Sequence, residues 1–485
     1  MARVTKSKTK QAPVLLWFRR DLRLTDQDAV AAAAESGAPV IPVFILDDSD
    51  RKPQRAIGGA ARWWLHHSLE SLAGSLDKLG SPLILRRGDA VETILALVQE
   101  TGAEAIHTGF MPDPGDRATD KAIAEALERQ DCRLHRHRTA LLHDPHKIKT
   151  QTGNPFRVFT PFSKAFEAQV HVRPPAPAPK HLIPSTQTKS DKLADWELLP
   201  TIPWDKGMAE EWTPGEAGAG VRLADFVADA VNDYEKGRDI PGDAGTSRLS
   251  PHLHWGEISP WQVWEVVGEA KGHGGVATYR RELIWREFAA HLLWHFPQIT
   301  DQPLRPEFAE FPWREDHAGE TAWQRGQTGI PIVDAGMREL WALGWMHNRV
   351  RMIVASLLVK HLLIPWKDGE NWFWDTLVDA DLAANCVNWQ WVAGCGADAA
   401  PFFRIFNPVL QGKKFDPSGR YVRDWVPELA KLPDAYIHEP WTAPEAVLRA
   451  AGVRLGVTYP MPVVDLAAGR ARALAALKQA TGRGS

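Results

Sequence analysis

Asp379-Ala380-Asp381 sets two carboxylates close together, and Asn385 and the triplet Trp389-Gln390-Trp391 follow shortly after. Paired carboxylates commonly hold a metal or move protons. Here no third carboxylate or histidine stands at ligand spacing, and Arg351 is a natural ion-pair partner for Asp379, so no metal is expected. Upstream, Glu282, Trp285 and Arg286 stand at i, i+3 and i+4 and share one helix face. A carboxylate, a large ring and a guanidinium so placed can bind a nucleobase by edge and by stacking; a salt bridge beside a core tryptophan uses the same residues. Asn348, Arg351 and Met352 repeat the pattern one helix later. In Gly245-Thr246-Ser247-Arg248-Leu249-Ser250-Pro251, the hydroxyls can cap a helix start or, with its free amides, hold a phosphate. Arg404, Lys413, Lys414, Arg420 and Arg423 lie close in sequence with aromatics between them, the composition of a surface that grips phosphates and stacks bases, or of a solvated face.

The composition is that of a globular chain with 44% hydrophobic and 24% charged residues. Its 22 tryptophans against 5 tyrosines are unusual. Tryptophan mostly fills cores, yet it also stacks bases and carries single electrons. A net charge of −3 excludes a polycation, so nucleic-acid binding requires a local basic face. No apolar run is long enough to span a membrane, and the basic, polar N-terminus (Arg3, Lys6, Lys8, Lys10) is expected to be a tail rather than a secretory signal. Cys132, Cys386 and Cys395 form no CxxC pair and no zinc spacing, which reads as free thiols in a reducing cytoplasm.

These residues need a scaffold. Over residues 1–145, apolar strand signals at 14–18, 40–46, 83–85, 105–108 and 133–137 alternate with helical patterns such as 60–79 and 91–99. That alternation implies βαβ units and a parallel, Rossmann-like sheet. The first strand runs into Arg19-Arg20-Asp21-Leu22-Arg23 and not into GxGxxG, so a standard dinucleotide site there is not expected. Residues 146–220 read as an interdomain linker stiffened by Pro174, Pro175, Pro177 and Pro179. From 221 to 485 the period is helical, with helices expected over 223–234, 260–268, 277–295, 332–343 and 349–363. The fold class is α/β followed by all-α.

The order and spacing of these motifs carry a resemblance. Trp17-Phe18-Arg19-Arg20-Asp21-Leu22-Arg23-Leu24, GTSRLSP (245–251), ELIWREF (282–288), TGIPIVDAGMRELWALGWMHNRVRM (328–352), DADLAANCVNWQW (379–391) and FRIFNP (403–408) resemble the photolyase/cryptochrome family over nearly the whole chain, and most of all the cyclobutane pyrimidine dimer photolyases. The resemblance implies FAD, U-shaped, inside the helical domain. It implies that Tyr234 and Thr246, Ser247, Arg248, Leu249 and Ser250 hold its phosphates. Arg286, Arg351, Asp379 and Asp381 line the flavin, and Asn385 faces flavin N5. Trp389, Trp366 and Trp313 match an electron-hopping chain to the surface. Glu282, Trp285, Asn348, Met352 and Trp391 match the pocket that receives the dimer.

The implied activity is light-driven repair of UV-damaged DNA, with an electron passing from excited reduced FAD to a flipped-out dimer. Arg404, Lys413 and Lys414 are the expected DNA contacts. An antenna chromophore is expected in or near the α/β domain, methenyltetrahydrofolate first and a deazaflavin second, with Asp116 beside Arg117 the nearest acid for it. A monomer is expected. The rival readings are a cryptochrome-type blue-light receptor and (6-4) photoproduct repair. Glu282, Trp285, Trp391 and the absence of a long C-terminal extension weigh against the first. Asn348 after His347, in place of a histidine pair, weighs against the second.

Overall fold

The computed structural model describes residues 11–48, 55–171, 173–185, 188–398 and 403–482; the basic N-terminal run containing Arg3 to Lys10 lies outside them. The apolar runs form a five-stranded parallel sheet: β1 (Val14–Phe18), β2 (Val40–Leu46), β3 (Ile84–Arg87), β4 (Ala105–Gly109) and β5 (Arg133–His137), in the order β3-β2-β1-β4-β5. β1 is central, with Val14 opposite Val40 on one side and Ala105 on the other. Helices α1 (Asp28–Glu35), α2 (Gly59–Lys78), α3 (Ala90–Thr101) and α4 (Pro114–Leu127) connect successive strands. Because helices cover both faces, VLLWF is buried at every position and shows no alternation.

The strand order reverses between β1 and β4, the place where such sheets offer a ligand crevice. Here protein side chains fill it. Asp21 accepts hydrogen bonds from the Arg19 amide, Gln27 and Thr139, and Arg19 donates to the Gly109 carbonyl. A Cβ at Gly109 would collide with Asp21 and Thr139, so only glycine fits. Arg23, fully buried, donates to the carbonyls of Thr25, Asp26, Thr139 and Gly256. The Arg-Arg-Asp-Leu-Arg run is therefore a structural joint to the helical half.

Beyond the sheet come α5 (Phe159–Gln169), α6 (Lys206–Glu211), α7 (Glu216–Asp229), α8 (Tyr234–Gly237), α9 (Ser250–His254), α10 (Pro260–Gly268), α11 (His273–His295), α12 (His317–Gln324), α13 (Pro331–Leu343) and α14 (Asn348–Ser356). They are followed by α15 (Trp366–Thr376), α16 (Leu382–Ala393), α17 (Pro408–Phe415), α18 (Arg420–Trp425), α19 (Glu445–Ala451) and α20 (Leu466–Thr481). The helix expected over 277–295 begins four residues earlier, at His273, and two others differ more. The one expected over 223–234 begins earlier, at Glu216, and ends at Asp229, with Tyr234 opening a separate turn. The one expected over 349–363 is α-helical only to Ser356 and continues as a π-helix over Leu357–Leu362. The wider turn keeps the apolar face buried while Lys360, fully buried, donates to the Ala393 carbonyl at the end of α16 at 2.6 Å.

The connector is built into both halves. Phe159, Phe162 and Phe166 pack in one core with α7 and α11, while Trp196, Leu198, Met208 and Trp212 pack with Trp63 and Trp64 of α2.

Candidate functional site

Thr246 to Leu249 form a turn that ends where α9 starts, at Ser250. Gly245 sits so close to Gly237 that a Cβ would lie 2.4 Å from its carbonyl oxygen, and Arg248 adopts φ 49°. Arg248 is anchored by Glu211 at 2.7 Å, Ser247 accepts from Tyr279, and Ser250 accepts from the Trp345 indole. Among the described residues the backbone amides of Thr246, Ser247 and Ser250 donate to no protein acceptor. Free amides at a helix start, with hydroxyls beside them, fit a diphosphate. Tyr234 is buried nearby, edge-on to Phe226 and Tyr279, and burial first, then Glu282, raises its pKa.

Arg351 grips Asp379 through two hydrogen bonds, 3.1 and 2.8 Å, and its Nε donates to the Met346 carbonyl. The expected pair thus joins α14 to the turn before α16. Asp381 caps α16 through the Ala384 amide. Burial works against its charge, but His254, Arg286 and that amide outweigh the burial and keep it ionised. Arg286 itself donates to the carbonyls of Ala140 and Leu253, tying α11 to the segment after β5 and to α9. Asn385, one turn into α16, is buried and bonded to Glu370.

Trp389 is 2% exposed, Trp366 5%, and Trp313 partly exposed, all in one core. Two local features bring their segments together. A Cβ at Gly369, one turn after Trp366, would meet the Trp389 ring at 2.1 Å, so glycine lets that indole lie against α15. The Arg314 amide donates to the Leu363 carbonyl, which pins Trp313 beside the start of α15. The increasing exposure along the three is the order that a path from core to surface requires.

Of the expected dimer pocket, Trp285 is stacked on Phe159 with centroids 3.5 Å apart and planes 4° apart. Glu282 is ion-paired with Arg238. Asn348 is exposed at the first position of α14 and Met352 is half-buried one turn on. Trp391 is half-buried, with the Arg404 guanidinium 5.9 Å from its ring. Phe159 and Arg238 were not among the expected residues; each lies outside the motif runs, on an element whose approach the local sequence does not encode.

The basic cluster divides. Lys414 and Arg404 are exposed, Lys413 is exposed but paired with Glu439, and Arg420 pairs with Asp243. Arg423 is tied to Asp434 and to the carbonyls of Ser418, Ala430 and Leu432, a structural role. Both oxygens of Asp116 face guanidinium groups, of Arg20 and of Arg19, and Arg117 lies over Trp294 at 3.7 Å. Asp116 is thus already engaged by the protein. Among the described residues the only grouping of metal-ligand type is His66, His67 and Glu70 on α2, outside all these motifs. The three cysteines are free and buried, and no helix of the described residues is long and apolar enough to cross a membrane.

Residues 14–180 match the DNA photolyase family and residues 279–479 match the FAD binding domain of DNA photolyase, which makes FAD the cofactor. A deoxyribodipyrimidine photo-lyase of Agrobacterium fabrum is 52% identical over 96% of this chain and 98% of its own length. Cryptochrome-1 of Arabidopsis thaliana is 38% identical over 96% of this chain and 70% of its own. The crystal structure of a bacterial class III photolyase from Agrobacterium tumefaciens superposes with a TM-score of 0.94 at 50% identity, covering 99% of this chain and all of that one. The chain belongs to the DNA photolyase family.

Proposed function

We propose that this protein repairs cyclobutane pyrimidine dimers in UV-damaged DNA under light. The observation that carries the reading is Trp285, braced on one face by Phe159 and part-exposed, on the same helix face as Glu282. Bound reduced FAD supplies the excited-state electron that opens the cyclobutane ring and takes it back. The protein's part is position. A dimer pairs poorly, so extruding it from the duplex costs less than extruding a normal base. Trp285 and Trp391 are suited to stack on it, Glu282 to bond a base edge, and Asn348 and Met352 to complete the wall. The turn at Thr246 to Ser250 and the Arg351–Asp379 pair are suited to hold the cofactor.

The (6-4) enzymes are expected to carry a histidine pair in this pocket. His347 is 2% exposed, its Nδ1 accepts from the Arg349 amide, and burial lowers its pKa to about 3. Its neighbour in the pocket is Asn348 and not a second histidine, which favours the cyclobutane substrate. The higher identity to a photo-lyase than to a cryptochrome favours repair over signalling. We assign methenyltetrahydrofolate as the antenna, with a deazaflavin as the alternative, and a cytoplasmic monomer as the working form.

Denaturing the purified protein should release about one FAD per chain, and chemically reduced protein should remove dimers from irradiated oligonucleotides under blue light. Binding of dimer DNA by fully reduced protein with no repair would give the case to the cryptochrome reading. A second test concerns the basic face. Replacing Lys413 and Lys414 by alanine should weaken damaged and undamaged DNA about equally and flatten the slope of log K against log salt by about 1–2, since phosphate contacts carry no sequence or lesion information. A selective loss of damage preference would reassign these lysines to the pocket.

A further inference from the structure

Asn385 has two amide hydrogens, and both are committed. Its Nδ2 donates to the Glu370 backbone carbonyl at 3.0 Å and to the Glu370 carboxylate at 2.8 Å. An amide whose hydrogens are both bound on one side presents its oxygen on the other, and among the described residues no donor reaches that oxygen. Glu370 is fully buried. Its carboxylate is held in turn by Arg55 at 2.7 Å and Lys367 at 2.8 Å. Arg55 comes from the α/β half, where it lies over Trp374 at 4.3 Å and donates to Asn371. The cations compensate the buried carboxylate, so it can remain an acceptor in a dry site.

We propose that Glu370, clamped by Arg55 and Lys367, is a positioning residue that fixes the Asn385 amide with its oxygen toward flavin N5, and thereby favours flavin forms that carry a proton at N5. The proposal rests on the reading of Asn385 as the residue that faces N5. Unprotonated N5 is an acceptor and gains nothing from a carbonyl; protonated N5 is a donor and does. A free asparagine could rotate to suit either form, and Glu370 removes that freedom. Because Arg55 belongs to the α/β half, correct docking of the two halves becomes part of the setting. The electron comes through the tryptophan chain, an added thiol refills the chain's outer end, and the N5 proton comes from solvent.

The test is photoreduction of the FAD-loaded protein with a thiol present, reading from absorbance the ratio of N5-protonated to unprotonated one-electron-reduced flavin. Glu370→Leu should lower that ratio about tenfold, the size of one net hydrogen bond. Glu370→Gln, which still offers a carbonyl to Asn385, should stay close to the parent. In an Asn385→Asp background both side-chain oxygens accept whichever way the group turns, so adding Glu370→Leu should produce no further fall. An unchanged ratio in Glu370→Leu, or an equal fall in both backgrounds, overturns the proposal. Infrared difference spectra of the unsubstituted protein with isotope-labelled asparagine give a check independent of any variant's folding: the Asn385 carbonyl stretch should shift when N5 gains its proton, and no shift overturns the proposal. A parent protein that binds FAD and repairs dimers while Glu370→Leu leaves the ratio unchanged refutes only this inference. A parent without FAD or repair refutes the function itself.

Discussion

Trp366→Phe should abolish most light-driven reduction of the flavin while leaving repair by chemically reduced protein nearly intact. Trp366, at 5% exposure, is intermediate between Trp389 at 2% and the partly exposed Trp313 packed on the same core. Phenylalanine fills much of the same space but is far harder to oxidise, so the proposed electron path should lose its middle member and little else. The stability cost should stay well below the ~3–5 kcal/mol of a tryptophan-to-alanine truncation. Blue-light bleaching of oxidised flavin reads the first effect; dimer loss after prior chemical reduction reads the second. Glu282→Ala should show the converse, normal photoreduction with fewer dimers repaired per photon. Should Trp366→Phe lose repair even when pre-reduced, the division between electron supply and substrate handling is wrong.

Arg351→Met should release FAD and destabilise the helical half. The side chains of Arg351 and Asp379 are 23% and 4% exposed. Removing the arginine strands a buried carboxylate, which costs about 3–5 kcal/mol for a fully buried pair and somewhat less here because Arg351 touches solvent. The double variant Arg351→Met, Asp379→Asn removes the stranded charge and should recover part of that loss. Thermal unfolding and flavin retention after gel filtration measure both. Additive losses in the double variant would show that the two residues act independently, against the bidentate geometry.

Much of the fold was legible because its signals are local. All five expected strands occur within one or two residues of their expected bounds, and the 260–268 helix occurs as read, since proline at its first position and a Ser259–Gln262 capping box mark its start. The π-helical stretch at Leu357–Leu362 was not legible: periodicity tracks which face is apolar, and one widened turn shifts that face too little to register. The Arg351–Asp379 pair was readable as two opposite charges in adjoining motifs. Glu370 and Arg55 were not, because their partnership joins positions on opposite halves of the molecule and neither stands at a revealing spacing. Phe159 escaped for the same reason, although it covers Trp285 more closely than any motif residue does.

The core that contains the sheet's helix α2 also holds Trp255, Trp345 and Val378. Synthesis runs from the N-terminus, so the first half of this protein leaves the ribosome lacking three of the side chains that seal it. At about 5–20 residues per second, roughly ten seconds or more separate the emergence of Trp212 from that of Val378. Throughout that interval Trp63 and Trp64 have an unfinished cover, and the nascent chain presents aromatic surface to whatever holdase it meets. The N-terminal half is in this sense a client of its own C-terminal half. Expressed alone as residues 1–215 it should aggregate, and supplying the remainder in trans should rescue it.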